Sequence, residues 1–210
     1  MTSIHTSLIH GFFLSLAMIV AIGAQNAFVI KQAMKGRHVF AVALVCALCD
    51  ASLILLGSLG VGTFIATNKY LELTMSVVGC LFLAFYAVTS LKQAFISNEI
   101  VFEKDQHYES LKRIVLVALA FSFLNPHAWL DTVVIIGSVS SQYEKSVELA
   151  AFTFGACLVS FLWFFFLAFL AKKLRTALTS ARTQKYLNLF IAALMASISF
   201  GLARHALSIW

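Results

Sequence analysis

Charge is what this chain has least of. Only 11% of its 210 residues are Asp, Glu, Lys or Arg, while 61% are hydrophobic. A water-soluble domain carries about 25% charged residues. Too little polar surface is left to cover a globule in water, so an integral membrane protein is expected. Proline is almost missing as well: Pro126 is the only one. Proline removes a backbone donor and clashes with the preceding turn, so long helices meet that obstacle nowhere else. No Lys or Arg occurs from Met1 to His10, which therefore lacks the basic start of a secretory signal peptide. The first apolar run is expected to remain as a permanent span. Cysteine is sparse, and Cys46, Cys49, Cys80 and Cys157 all fall inside apolar runs, where they say little about redox compartment.

Apolar runs dominate what is present. Six are long enough to cross a bilayer, which takes about 20 residues of helix: Leu8–Ile30, Val39–Ala66, Leu71–Phe95, Ile114–Val139, Val147–Ala171 and Tyr186–Leu207. They lack the alternation of barrel strands and are much longer than such strands need to be. The expected fold is all-α, with six transmembrane helices.

The net charge of +6 does not point to nucleic acid, because the basic residues sit in short connections between apolar runs. Lys31, Lys35, Arg37, Lys92, Lys104, Lys112, Arg113, Lys172, Lys173, Arg175, Arg182 and Lys185 occupy the first, third and fifth connections. Lys69, Lys145 and Arg204 lie on the opposite side. Positive residues favour the cytoplasmic face, so both termini are expected outside the cytoplasm, in the periplasm. The mixed-charge connection 96–112 is then cytoplasmic and divides residues 8–95 from 113–210, three spans each. Three is odd, so the halves start on opposite faces, the arrangement of an inverted repeat. Gln25-Asn26-Ala27-Phe28 in the first span and Pro126-His127-Ala128-Trp129 in the fourth show a faint internal similarity.

Seven of the nine acidic residues are at span ends or in connections, leaving Asp50 and Asp131 inside spans. A carboxylate near the bilayer centre costs roughly 2.5–3.5 kcal/mol on the insertion scale, and such residues usually face a cavity, a partner or a transport path. Asp50 lies 13 residues beyond Arg37, roughly 20 Å along a helix. Asp131 lies 18 residues beyond Arg113, roughly 27 Å along its span. Asn125-Pro126 has the form of a helix restart, with Asn as cap and Pro at the first helical position. His127 and Asp131, four apart, would share a face of that helix. The plainer reading is a proline kink whose polar groups only bond between helices. Gly23-Ala24-Gln25-Asn26 fits either a break in the first span or polar packing. Gly57, Gly60 and Gly62 fit close helix packing, and Cys46-x-x-Cys49 fits core packing better than a redox pair.

The stretches GAQNAFVIKQ (Gly23–Gln32), CDASLILLGSLG (Cys49–Gly60) and LNPHAWLDTVVIIGS (Leu124–Ser138) resemble the lysine exporter family, most closely its lysine and arginine exporter branch. The similarity runs over essentially the whole chain. It implies a bacterial inner-membrane exporter of basic amino acids driven by the proton motive force. One departure stands out: the family usually has proline where this chain has Ala24, which weakens the expectation of a break in the first span.

Residue chemistry and resemblance both lead to transport. A basic amino acid carries one carboxylate and two cations. A helix N-terminus near Asn125 suits the carboxylate, and Asp50 and Asp131 suit the cations. Gln25, Asn26 and His127 could complete the hydrogen bonding or carry protons, or the two carboxylates could bind protons alone. The expected partners are substrate, protons and lipid, with room for a homodimer; no cofactor or metal is expected. Two rivals are a thiol–disulfide electron carrier using Cys46 and Cys49 and a metal-ion transporter. A membrane-embedded enzyme would need more than one His beside one Asp.

Overall fold

The computed structural model describes residues 4–20, 23–36, 38–60, 69–96, 110–124, 129–174 and 181–209. Among these, every regular element is helical: α1 (Ile4–Ile19), α2 (Ala24–Lys35), α3 (Val39–Ser58), α4 (Lys69–Ile96), α5 (Leu111–Phe123), a π-helix π1 (Trp129–Ile135), α6 (Ile136–Ser140), α7 (Ser146–Lys173) and α8 (Ala181–Ile209). Four stretches among the described residues are long and apolar enough to cross a membrane: Val39–Ser58, Ser76–Phe95, Ser146–Lys173 and Arg182–Ser208. A fifth arises if α1 and α2, which meet at 76°, form one broken span. The run Ile114–Val139 is divided among α5, π1 and α6.

Local chemistry accounts for several boundaries. Ser110 caps α5 by accepting a bond from the backbone N–H of Arg113 at 3.3 Å, satisfying one of the donors that a helix start leaves open. Gly36 ends α2 in the left-handed region at φ 74°, which a residue without Cβ adopts at little cost. The break after α1 needs no proline. Gly23 is extended, and the Asn26 amide reaches back to donate to the Ile19 carbonyl at 2.9 Å. Helix α5 ends at Phe123, whose carbonyl accepts from the Trp129 indole at 3.0 Å. The Asn26 amide satisfies a last-turn carbonyl of α1 that has lost its helical partner, and the Trp129 indole adds a bond to a last-turn carbonyl of α5.

Helix α3 lies antiparallel against α7, with Asp50 opposite Ser160 and Ser58 opposite Thr153. Helices α4 and α8 pack as a second antiparallel pair, joined by the Ser199 hydroxyl donating to the Cys80 carbonyl at 2.9 Å. Two further crossings bring backbone against backbone. A Cβ on Gly11 of α1 would run into the Phe152 carbonyl of α7, and one on Gly155 would run into the Leu8 carbonyl. A Cβ on Gly57 of α3 would stand 2.8 Å from the Val133 carbonyl in π1, and one on Gly137 would stand 2.9 Å from the Gly57 carbonyl. Small residues allow such approach where helix association depends on van der Waals packing. Gly57 thus has the packing role expected of it; Gly60 occupies a turn at φ 84° with open space around it, and Gly62 lies outside the described residues.

The main core joins α2, α3, α5, α7 and α8 through Phe28, Val42, Cys46, Phe121, Phe164 and Met195. Large apolar side chains such as Phe85, Phe154 and Phe200 point outward, 70%, 61% and 65% exposed. An apolar exterior around a packed interior is what a bilayer requires and water would penalise.

Candidate functional site

Polar groups converge about halfway along α3. Phe40 and Asp50 are ten residues apart, about 15 Å of helix, so Asp50 stands about half a bilayer from the start of α3. The Ser160 hydroxyl of α7 donates to Asp50 Oδ2. One turn before Asp50, the Cys46 carbonyl accepts from Gln25 Nε2 at 3.4 Å. That same nitrogen donates to the Ser122 hydroxyl at 3.0 Å, and Ser122 in turn donates to the Ala118 carbonyl, also at 3.0 Å. Beside Gln25, Asn26 Oδ1 accepts from the Trp163 indole at 3.2 Å. Gln25 therefore ties α2 to α3 and α5, while Asn26 ties it to α7.

The helical period explains this convergence. Ser160 and Trp163 are three residues apart and share a face of α7, so one face holds both Asp50 and Asn26. Cys46 and Asp50 are four apart on α3. The break between α1 and α2 brings two consecutive amides to the level of that face. Each hydrogen bond adds about 0.5–1.5 kcal/mol, too little for stability to demand a carboxylate there. Asp50 is only partly buried, and among the described residues its partner is a hydroxyl and not a cation. A carboxylate so placed is suited to attract a cation or a proton.

The expected residues divide into two groups. Gln25, Asn26 and Asp50 are brought to one level, with Gly23 at the break. Asn125, Pro126 and His127 lie outside the described residues, so the expected helix restart and the shared face of His127 and Asp131 do too. The backbone of Asp131 belongs to π1, two residues before Val133, whose backbone lies against Gly57. A π-helix was not anticipated; such segments are rare and often lie at functional sites. Ser122, Ser160 and Trp163 were also missed. Cys46 and Cys49 are buried free thiols of α3, packed as the apolar surroundings suggested. Among the described residues, no three His, Cys, Asp or Glu side chains gather to hold a metal ion.

Toward Lys31 the site is closed by rings. Phe121 is fully buried, with ring centroids 4.7 Å from Tyr86, 5.0 Å from Phe82 and 5.1 Å from Phe28. Beyond them the Lys31 ammonium lies 5.1 Å from the Tyr86 centroid and donates to the Ser90 hydroxyl at 3.1 Å.

Several helices long and apolar enough to cross a bilayer, with one bent pair whose break is tied back by its own amide beside a polar level, are the architecture of a membrane translocator. The LysE type translocator family matches residues 16–206, and the chain belongs to that family. It is 36% identical over 197 residues to an arginine exporter protein of Pectobacterium carotovorum, covering 94% of this chain and 96% of the relative. An arginine exporter protein of Salmonella typhimurium is 35% identical over 198 residues, covering 94% and 93%. A putative amino-acid transporter of Aeromonas salmonicida is 34% identical over 199 residues, covering 95% and 96%. No solved structure matches the chain.

Proposed function

We propose that the chain exports arginine, and basic amino acids such as lysine, from the cytoplasm across the bacterial inner membrane, with protons moving inward. The observation that carries this reading is Asp50, a carboxylate held by Ser160 midway along apolar α3 beside Gln25 and Asn26. Arginine as substrate is taken from two relatives that are arginine exporter proteins. In this reading Asp50 and Asp131 receive the cationic groups, and Asn125 and His127 complete the substrate or proton path.

The two-half arrangement of six spans belongs to the same proposal. It takes α1 with α2 as span one and α5 with π1 and α6 as span four. Exchanging spans one with four and two with five converts the α1–α7 crossing into the α5–α3 pairing. The α3–α7 and α4–α8 pairs are each left unchanged by the exchange. The ends of α1 at Ile19 and of α5 at Phe123 support the same relation, since each last-turn carbonyl accepts from a side chain of the helix that follows. Positive-residue bias supports an orientation with both termini in the periplasm.

Exchange with protons follows from charge. Moving a monovalent cation out of a cell against an inside-negative potential costs about 2.3 kcal/mol per 100 mV. One proton entering for each cation leaving cancels that charge movement. A carboxylate that binds either the proton or the substrate, but never both, enforces the exchange. The test is efflux of radiolabelled arginine and lysine from proteoliposomes with pH gradient and membrane potential set independently. An imposed proton gradient alone accelerates efflux, and Asp131→Asn lowers this response. Arginine flux equal to that of protein-free liposomes removes the export reading; flux indifferent to the pH gradient removes the coupling.

A further inference from the structure

A second site lies at the far end of the α3–α7 pair. A groove of about 360 Å³ is lined by Phe40 from the first turn of α3 and by Phe169, Lys172 and Lys173 from the last turns of α7. The Lys172 ammonium sits 5.1 Å from the Phe40 ring centroid, and Phe40 stacks on Phe165 at 6.3 Å with the rings 20° apart. Both lysines are exposed, and among the described residues no carboxylate forms an ion pair with either. Two adjacent cations and two aromatic rings are left exposed where two stretches long and apolar enough to cross a membrane, Val39–Ser58 and Ser146–Lys173, begin and end, respectively.

The surface below this pair is apolar and continuous. Leu162, Phe166 and Phe169 are 53%, 54% and 56% exposed, and with Lys173 they follow a spacing of four, three and four residues along one face of α7. Eleven residues separate Leu162 from Lys173, about 16 Å of helix. An apolar stripe of that length under a pair of ammonium groups has the dimensions and charge order of an acyl chain beneath a phosphate. Basic pockets between helices are recognised places for anionic headgroups, and the Phe40 ring helps to fix Lys172 through cation–π attraction.

We propose that this groove binds one anionic phospholipid, its phosphate between Lys172 and Lys173 and an acyl chain along Phe169, Phe166 and Leu162. A membrane lipid fits better than a soluble anion because only a lipid uses both the cations and the stripe. The site is separate from the polar level around Asp50, and the proposal does not depend on the transport reading.

The test is native mass spectrometry of the full chain released from mixed micelles containing phosphatidylglycerol and phosphatidylcholine. The unaltered protein is expected to retain one phosphatidylglycerol in preference to phosphatidylcholine. K172Q/K173Q is expected to reduce that retention at least fivefold, whereas K69Q/K145Q, with the same change in net charge at other positions, leaves it unchanged. F169A, which keeps both cations, is expected to weaken retention to an intermediate degree. Circular dichroism establishes that each variant remains helical; should K172Q/K173Q fail to fold, F169A and the lipid preference of the unaltered protein decide. Equal retention of both lipids, or equal loss in both lysine pairs, would overturn the proposal. So would displacement of the lipid by millimolar inorganic phosphate, which would make this a soluble-anion site. A dimer that dissociates in K172Q/K173Q without loss of phosphatidylglycerol would assign the face to a second copy of the chain instead.

Discussion

Asp50→Asn separates the charge of the polar level from its geometry. The Asp50 oxygen that accepts from Ser160 has a counterpart in the asparagine carbonyl, so the α3–α7 contact survives. The side chains are nearly the same size, and the surrounding packing is preserved. What disappears is one negative charge. Hydrogen bonds to a charged group contribute about 1.5–3 kcal/mol, and each 1.4 kcal/mol is tenfold in affinity. Apparent affinity for arginine should therefore fall about 10- to 150-fold. The assay is exchange of radiolabelled arginine across proteoliposomes at a fixed pH on both sides, over a range of substrate concentrations. Exchange without a gradient bypasses proton driving, so a loss there reports substrate binding rather than energy coupling. Thermal unfolding of the variant in detergent should lie within a few degrees of the parent. A normally folded Asp50→Asn protein whose half-saturating arginine concentration shifts by less than about threefold (0.65 kcal/mol on the same scale) would refute the assignment of this carboxylate to the substrate cation.

Ser160→Ala should raise half-saturation about fivefold, from the loss of about 1 kcal/mol of positioning, while Ser160→Thr, which keeps the hydroxyl, should restore most of it; the same exchange assay reads both. Gly155→Ala should destabilise the chain by about 1–3 kcal/mol, because its Cβ meets the Leu8 carbonyl and not a flexible side chain. Gly201→Ala, with nothing within 4 Å of the added carbon, should be neutral or slightly stabilising, and thermal unfolding of the two variants gives the comparison. Replacement of Cys46, Cys49, Cys80 and Cys157 together by Ala should leave arginine exchange intact. In that background a cysteine at Thr2 should react with an impermeant maleimide in intact cells, and one at Ser97 only after permeabilisation.

How legible each feature was depended on whether its cause lay along the chain or across it. The helices α3, α4, α7 and α8 follow runs that are continuous in sequence, and their existence could be read from length and apolarity. The polar level could be read only in part. Asp50, Gln25 and Asn26 stand out because amides and carboxylates are rare in such runs. Ser122 and Ser160 do not, since a serine inside a membrane helix commonly bonds to its own backbone, as Ser138 does to the Val134 carbonyl at 2.8 Å. Only the facing of α7 against α3 distinguishes Ser160 from such a residue. Trp163 is hidden for the same reason: an indole in an apolar run looks like packing until Asn26 is set against it. The break in the first span was obscured by Ala24, because proline was the expected cause. Its observed support, an amide returned to the Ile19 carbonyl, belongs to a contact seven residues long and has no simple signature in spacing.

The two sides of the polar level are closed by different means, and that difference bears on how a carrier built this way would open. At the end marked by Ser58 and Thr153, the crossings at Gly11, Gly155, Gly57 and Gly137 press backbone on backbone. Such contact cannot be relieved by a change of rotamer; it opens only when whole helices move apart, a motion of microseconds to milliseconds. Toward Lys31, closure rests on the rings of Phe28, Phe82, Tyr86 and Phe121 and on the bond from Lys31 to Ser90. Rings and a lysine can reorient in place while their helices stay packed. Phe121 adjoins Ser122, which accepts from Gln25, so movement of that ring is felt directly at the polar level. In the proposed exporter the ring-sealed end faces the cytoplasm, where substrate enters. In that reading substrate would meet a side-chain gate on entry and a helix-separation step on release, and helix motions of microseconds to milliseconds would make the second the slower.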